Sequence, residues 1–271
     1  MTILLWLALI LLIAATVISA RHSSRFIVGG LGWFFFSFHW FTLPPGYLEL
    51  EDYFNIGLVI LTGLLCLFIA YIIFRARNEM DDKNKRGEIL ISLTRAVSVA
   101  GIIYFIFADI VFLNSWLISR VTDQVIWLLE RIGYPVMAIA WNRLAVNGQI
   151  VEIILACTGI ESMALFFGLV SSAKESQGSQ KFKAFLISVP VIYMLNLIRV
   201  SFTASAYGFA WFGTPEESFH IAEHVITKMG STLALIGISY IVLKILPEIA
   251  DMIDGLVMIM KTDLKKLTAS K

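Results

Sequence analysis

The sequence predicts an all-α polytopic membrane protein of about seven transmembrane helices. A short extracytoplasmic β-hairpin and an interfacial helix are expected just ahead of the helix that carries Cys157. Composition, apolar run length and the distribution of basic residues carry that prediction. Of 271 residues, 58% are hydrophobic and 15% charged, and the mean hydropathy is +0.82. A soluble domain is nearer 45–50% apolar and about 25% charged, so the surplus has to face lipid. The net charge of +1 points to neither a nucleic-acid surface nor an acidic tail. Cys66 and Cys157 are too few for a disulfide framework, and their spacing fits no zinc pattern.

Seven apolar runs are long enough to cross a core of ~30 Å at 1.5 Å per residue: about 3–20, 26–43, 54–74, 89–113, 152–171, 182–208 and 222–246. The first has no basic residues before it and is followed by Arg21 and Arg25, the pattern of a signal anchor. The second is aromatic and starts with Gly29, Gly30 and Gly32, which suits close helix packing beside an interfacial belt. Between the fourth and fifth runs, Val121, Val125, Leu128 and Leu129 share one helical face, as expected of a helix lying at the interface. Asn147-Gly148 then signals a two-residue hairpin between strands of about 138–146 and 149–154. Ser171–Gln180 is a polar turn, and beyond Pro247 alternating apolar and charged residues predict an amphipathic helix. The expected organisation is a four-helix region (1–113), an extracytoplasmic loop (114–151), a three-helix region (152–246) and a cytoplasmic tail (247–271).

Sorting basic residues by loop sets the orientation. One set of loops holds 15 of the 21 Lys and Arg residues, including Arg75, Arg77, Lys83, Lys85, Arg86, Lys174, Lys261 and Lys271. The alternate loops hold only Arg120, Arg131 and Arg143. The positive-inside rule then puts the N-terminus outside and the C-terminus in the cytoplasm.

Charge within a span costs about 2.5–3.5 kcal/mol at its centre, so each intramembrane ionisable group is a functional candidate. Arg95 can snorkel, Asp109 can be solvated or paired, and Lys228 can snorkel or pair with Glu223. Arg199 lies ~25 Å along its helix, close to the outer surface. It cannot neutralise itself, so it needs an anion or a structural partner such as Asp109 or Glu161. Cys66 reads as a small apolar residue. Cys157 differs because Ala156-Cys157-Thr158-Gly159-Ile160 is a strand-to-helix junction. A thiol there sits near a helix N-terminus, where free N–H groups can hold an oxyanion. His220 and His224 open the last span at i and i+4, so at least one is expected to point into the bundle. On this topology Cys157, Arg199 and the histidines meet at one membrane depth, near the outer face. Together they make a covalent acyl-transfer site of nucleophile, anion stabiliser and general acid/base.

The motifs A-C-T-G-I-E-S at 156–162 and N-L-I-R-V at 196–200, with a histidine ahead of a final span, resemble the exosortase/archaeosortase family of membrane cysteine transpeptidases. The stretch from Ser218-Phe219-His220-Ile221-Ala222-Glu223 to Gly230-Ser231 is closer to the archaeosortase branch. The resemblance implies Cys157 as the acyl-thioester nucleophile, Arg199 as proton donor or carbonyl stabiliser, and His220 (alternatively His224) as the third catalytic group. It makes Thr158, Gly159, Glu161 and Asn196 candidates for substrate binding. The implied substrates are secreted or surface-layer proteins ending in a short motif such as Pro-Gly-Phe, a transmembrane helix and a basic tail. The implied acceptor is an amine, on a membrane lipid. An archaeal cell membrane is likewise implied by the resemblance, whereas a metal or organic cofactor is not. A lipid-modifying acyltransferase, a transporter and a non-catalytic receptor are the rival classes. A transporter predicts inverted repeats and midplane charges, and the chain shows no internal repeat.

Overall fold

The computed structural model describes residues 2–19, 22–49, 51–77 and 85–269. Arg21, Lys83 and Lys271 of the charge tally lie outside the described residues. In chain order the elements are α1 (Thr2–Val17), α2 (Ser24–Phe41), α3 (Pro44–Glu49), α4 (Tyr53–Ala76), α5 (Lys85–Asp109) and α6 (Val111–Ile132). Strands β1 (Val136–Ala140), β2 (Arg143–Val146) and β3 (Gln149–Glu152) follow, then a 3₁₀ turn (Leu155–Thr158), α7 (Ile160–Ser172) and α8 (Gly178–Phe209). The chain closes with α9 (Pro215–His220), a π turn (Ile221–Ile226), α10 (Thr227–Ile245) and α11 (Pro247–Ala269).

The protein is a mostly helical membrane protein, and among the described residues five helices are long and apolar enough to cross a bilayer. They are Ser24–Glu49, Tyr53–Ala76, Lys85–Asp109, Gly178–Phe209 and Pro215–Ile245. The first and fifth predicted runs instead form the shorter apolar helices α1 and α7. In the fifth run the 3₁₀ turn and a left-handed Gly159 (φ +74°) use up the residues before Ile160. That leaves 13 residues of helix, ~20 Å at the standard rise.

The chain divides into two compact units. One comprises residues up to Ile102, Ser171–Ser176 and the segment from Pro247. Its centre is α2 against α1 and α4. A side chain at Gly32 would meet the backbone nitrogen of Leu12 at 2.9 Å, so glycine permits that approach. The aromatic run is split in use. Trp33 and Phe36 are buried while Phe34 and Phe38 are exposed, and the Trp33 indole donates to Thr94 Oγ1 at 3.0 Å. Arg25 pairs with Glu88 at 2.8 Å. α11 is the amphipathic helix expected after Pro247. It buries Ile249, Met252 and Ile259, and its fully buried Asp263 accepts from Arg86. Glu248 accepts from the backbone nitrogens of Glu175 and Ser176, closing the polar 171–176 turn.

The other unit comprises Ile103–Val170 and Gln177–Leu246. Its core gathers Leu117, Ile118, Val121, Val125 and Leu129 of α6, Leu144 and Val146 of β2, and Leu197, Val200 and Ala204 of α8. The apolar face expected at the interface is thus part of a longer helix and packs into this protein core. The Asn147-Gly148 turn forms as expected, with both φ angles positive (50° and 86°) as a type I′ turn requires. The sheet differs from the expected hairpin: it has three antiparallel strands in the order β1-β2-β3. The predicted 138–146 strand turns back at Trp141-Asn142, beside an irregularity between Ala138 and Ala140. The last predicted strand residues are also diverted. Ile153 donates to the Asn142 carbonyl at 2.8 Å, and the 3₁₀ turn begins two residues later.

Candidate functional site

β3 feeds directly into the turn that carries Cys157, so the sheet fixes where that turn begins. The Cys157 backbone nitrogen donates to the Ile154 carbonyl at 2.9 Å, and the Thr158 hydroxyl donates to the Leu155 carbonyl at 2.7 Å. Thr158 is fully buried. These bonds close a single tight turn, and the left-handed Gly159 redirects the chain into α7. Glycine is required there twice over. Its φ is positive, and a β-carbon would lie 3.0 Å from Asn196 Cγ.

Asn196 holds the turn from α8: its side-chain amide donates to the Cys157 carbonyl at 2.7 Å. Asn196, Arg199 and Thr203 are spaced i, i+3, i+7 and share one face of α8. Cys157 is half-buried and lies within electrostatic reach of both Arg199 and Glu223. Arg199 Nη2 stands 3.7 Å from Glu223 Oε1, and the Thr203 hydroxyl donates to Glu223 Oε2 at 3.1 Å. Arg199 Nε is buried and takes no hydrogen bond among the described residues.

A cavity of about 120 Å³ opens beside this cluster. Gly159, Glu161 and Ser162 of the α7 start, Asn196 and Arg199 of α8 and Ser231 of α10 supply its polar lining. Ile192, Leu195, Leu235 and Ile238 give it an apolar wall. The cavity thus combines an apolar wall with one cation, one carboxylate and a few hydroxyl and amide groups, and Ala156 of its lining adjoins Cys157.

The structure therefore brings Cys157, Gly159, Glu161, Asn196 and Arg199 together at one site, with Thr158 buried behind the turn. The partner of Arg199 among the described residues is Glu223, rather than Asp109 or Glu161, and no pair of Glu223 with Lys228 forms among them. Glu223 and Thr203 were missed in the sequence as parts of the site. Their signal was present, since Arg199 and Thr203 at i, i+4 present one face to a carboxylate on the next span. The histidines are placed differently from expectation. Both His220 and His224 are exposed, and their rings stand 4.9 Å apart edge to face. Each lies two residues beyond a buried position, Ser218 or Ala222, and so on the opposite side of the helix. Buried positions step from Ser218 to Ala222 to Thr227, four residues and then five. The extra residue of the π turn moves the next inward position to Thr227.

The family model described as Transmembrane exosortase matches residues 1–238. Archaeosortase A of Haloferax volcanii is 25% identical over 265 residues, covering 85% of this chain and 84% of its own length. Archaeosortase A of Natronomonas pharaonis is 23% identical over 297 residues, covering 97% of this chain and 90% of its own length. No solved structure matches the chain.

Proposed function

The chain belongs to the transmembrane exosortase family, and on that premise we propose that it is a membrane cysteine transpeptidase acting on C-terminal sorting signals. Its substrates are secreted or surface proteins that end in a short motif, a membrane helix and a basic tail. The observation that carries the reading is the bond from Asn196 to the Cys157 carbonyl, because it couples the thiol's turn to the face of α8 that bears Arg199.

In the proposed reaction the Cys157 thiol passes its proton to a histidine, His220 or alternatively His224, once substrate binding turns that exposed ring toward the cleft. The thiolate attacks the scissile carbonyl carbon, forming a C–S bond and a tetrahedral oxyanion that Arg199 stabilises. Collapse of the oxyanion breaks the C–N bond, and the histidine returns the proton to the leaving amine. An acceptor amine, on a membrane lipid, then attacks the thioester and gives its proton to the histidine, releasing the Cys157 thiolate. Gly159, Glu161 and Asn196 line the cleft that receives the motif, and Thr158 keeps the turn closed behind it. The enzyme works in the cell membrane with its N-terminus outside, its C-terminus in the cytoplasm and the cleft near the outer face. The archaeal origin of both relatives supports an archaeal membrane.

A reporter ending in Pro-Gly-Phe, a membrane helix and a basic tail tests the reading when expressed with the wild type and single variants. Size and attached-lipid mass are read together. Shortening by the wild type, lost in Cys157→Ala and Arg199→Ala, is the expected result. Equal shortening by wild type and Cys157→Ala would overturn it. Lipid transfer onto a small molecule with the reporter left intact would favour a lipid-modifying acyltransferase.

A further inference from the structure

We propose that Glu223 is a positioning residue for Arg199, holding its guanidinium at the Cys157 turn while leaving donors free for the reacting group. The inference rests on the transpeptidase reading for its reaction, and on three features of this chain for its geometry.

The Glu223 carboxylate is held by two groups on one face of α8. Thr203, one turn beyond Arg199, is buried and donates to Oε2 at 3.1 Å. Arg199 Nη2 stands 3.7 Å from Oε1. The short, directional bond fixes the carboxylate, and the longer approach sets where the guanidinium rests.

The length of that approach carries the argument. Two other arginine–glutamate pairs in the chain, Arg25–Glu88 and Arg143–Glu152, are closed at 2.8 Å. Arg199–Glu223 is open beyond hydrogen-bond length, although its side chains are only 26% and 27% exposed. Coulomb attraction falls slowly with distance, so the charges still hold one another. Hydrogen bonding falls steeply, so Arg199 donors are not consumed. With Nε buried and unbonded among the described residues as well, the guanidinium finds there fewer acceptors than a half-buried cation needs. An oxyanion at the scissile carbon supplies them during the reaction. A closed pair would have to break first.

The π turn is the third feature. Such turns are rare and recur at functional sites. Here the turn carries Glu223, whose carboxylate meets Thr203 and Arg199 of α8, and the Thr227 hydroxyl donates back to the Glu223 carbonyl at 3.0 Å. The turn thus presents one carboxylate to Arg199, while both histidines are exposed.

The test uses the full-length protein in proteoliposomes, with the sorting-signal reporter and hydroxylamine as acceptor amine. Wild type, Glu223→Gln, Glu223→Ala, Glu223→Asp, Thr203→Val, Arg199→Ala and the Arg199→Ala/Glu223→Ala double variant are compared. Glu223→Gln and Glu223→Ala are expected to lower kcat about tenfold or more with KM within about twofold. Glu223→Asp should recover part of the loss, and Thr203→Val should show a smaller loss in the same parameter. Because Arg199→Ala is expected to abolish processing, its coupling to Glu223 is read from thiol alkylation instead. Unchanged kcat in Glu223→Gln would overturn the assignment. A second readout needs no protein substrate: the rate of Cys157 alkylation by iodoacetamide in membranes. Glu223→Gln should change that rate in the wild-type background and leave it unchanged beside Arg199→Ala. If the wild type leaves the reporter intact, the transpeptidase reading falls and the alkylation coupling alone decides the role of Glu223. Equal rates in every variant would reject it.

Discussion

The Asn196 side chain donates to the backbone carbonyl of Cys157 across 39 residues of sequence, at 2.7 Å. Through this bond the position of the thiol depends on α8, the helix that also carries Arg199. Asn196→Ala removes the only donor that α8 gives this carbonyl among the described residues. A lost bond of this kind costs about 1–3 kcal/mol where the acceptor is left unsatisfied. Processing of the reporter is expected to fall about tenfold or more while the protein still accumulates, and a thermal-shift scan in detergent measures the stability part.

Gly159→Ala should be more damaging. The residue holds φ +74°, and a β-carbon would stand 3.0 Å from Asn196 Cγ. The left-handed conformation alone costs about 1–2 kcal/mol for an L-residue with a side chain. The expected result is lost processing with a lowered unfolding temperature, and activity equal to wild type would show that the turn tolerates another path.

The two cysteines should separate cleanly. Cys66 is buried within α4 in the first unit, whereas Cys157 is half-buried beside the cleft of the second. Cys66→Ala is expected to process the reporter within about twofold of wild type, and Cys157→Ala to process none. Mass spectrometry after brief iodoacetamide treatment should find the label on Cys157 well ahead of Cys66, following exposure of the thiols.

The sheet is fastened to α8 by backbone approach. A β-carbon on Gly208 would meet the Val146 carbonyl oxygen at 2.7 Å, and Asn147 Nδ2 donates to the Gly208 carbonyl at 3.1 Å. Gly208→Ala forces these apart, an overpacking cost of about 1–3 kcal/mol. Because β3 leads into the Cys157 turn, a loss of reporter cleavage should accompany the fall in unfolding temperature. Thr94→Val, which strips the first unit's Trp33 indole of its acceptor, should lower that temperature while cleavage by the folded protein stays near wild type.

Much of the helical architecture was legible because each run is long, apolar and bounded by charge. The amphipathic helix after Pro247 and the Asn147-Gly148 turn were equally legible, since periodicity and a pair of positive-φ residues are local properties. The split strand was not. Trp141-Asn142 lacks a strong turn signature, and Ile153 bonds to Asn142 only once the sheet has formed. The length of α7 was hidden too, because hydropathy does not register a left-handed glycine after a 3₁₀ turn.

For the site, the sequence by itself determined which residues were unusual for their surroundings. A cysteine at a strand-to-helix junction, an arginine within a span and two histidines opening the last span stand out because charge and reactivity are costly in lipid. Only the tertiary structure decided their partners. Glu223 meets Arg199 across two helices, Asn196 reaches the Cys157 carbonyl, both histidines lie outward opposite Ser218 and Ala222, and a π turn moves the next inward position to Thr227. The reason is physical: burial penalties follow from residue type and local hydropathy, whereas a hydrogen bond depends on the rotation of one helix against another. One inserted residue changes that rotation while leaving the hydropathy of the run almost unaltered.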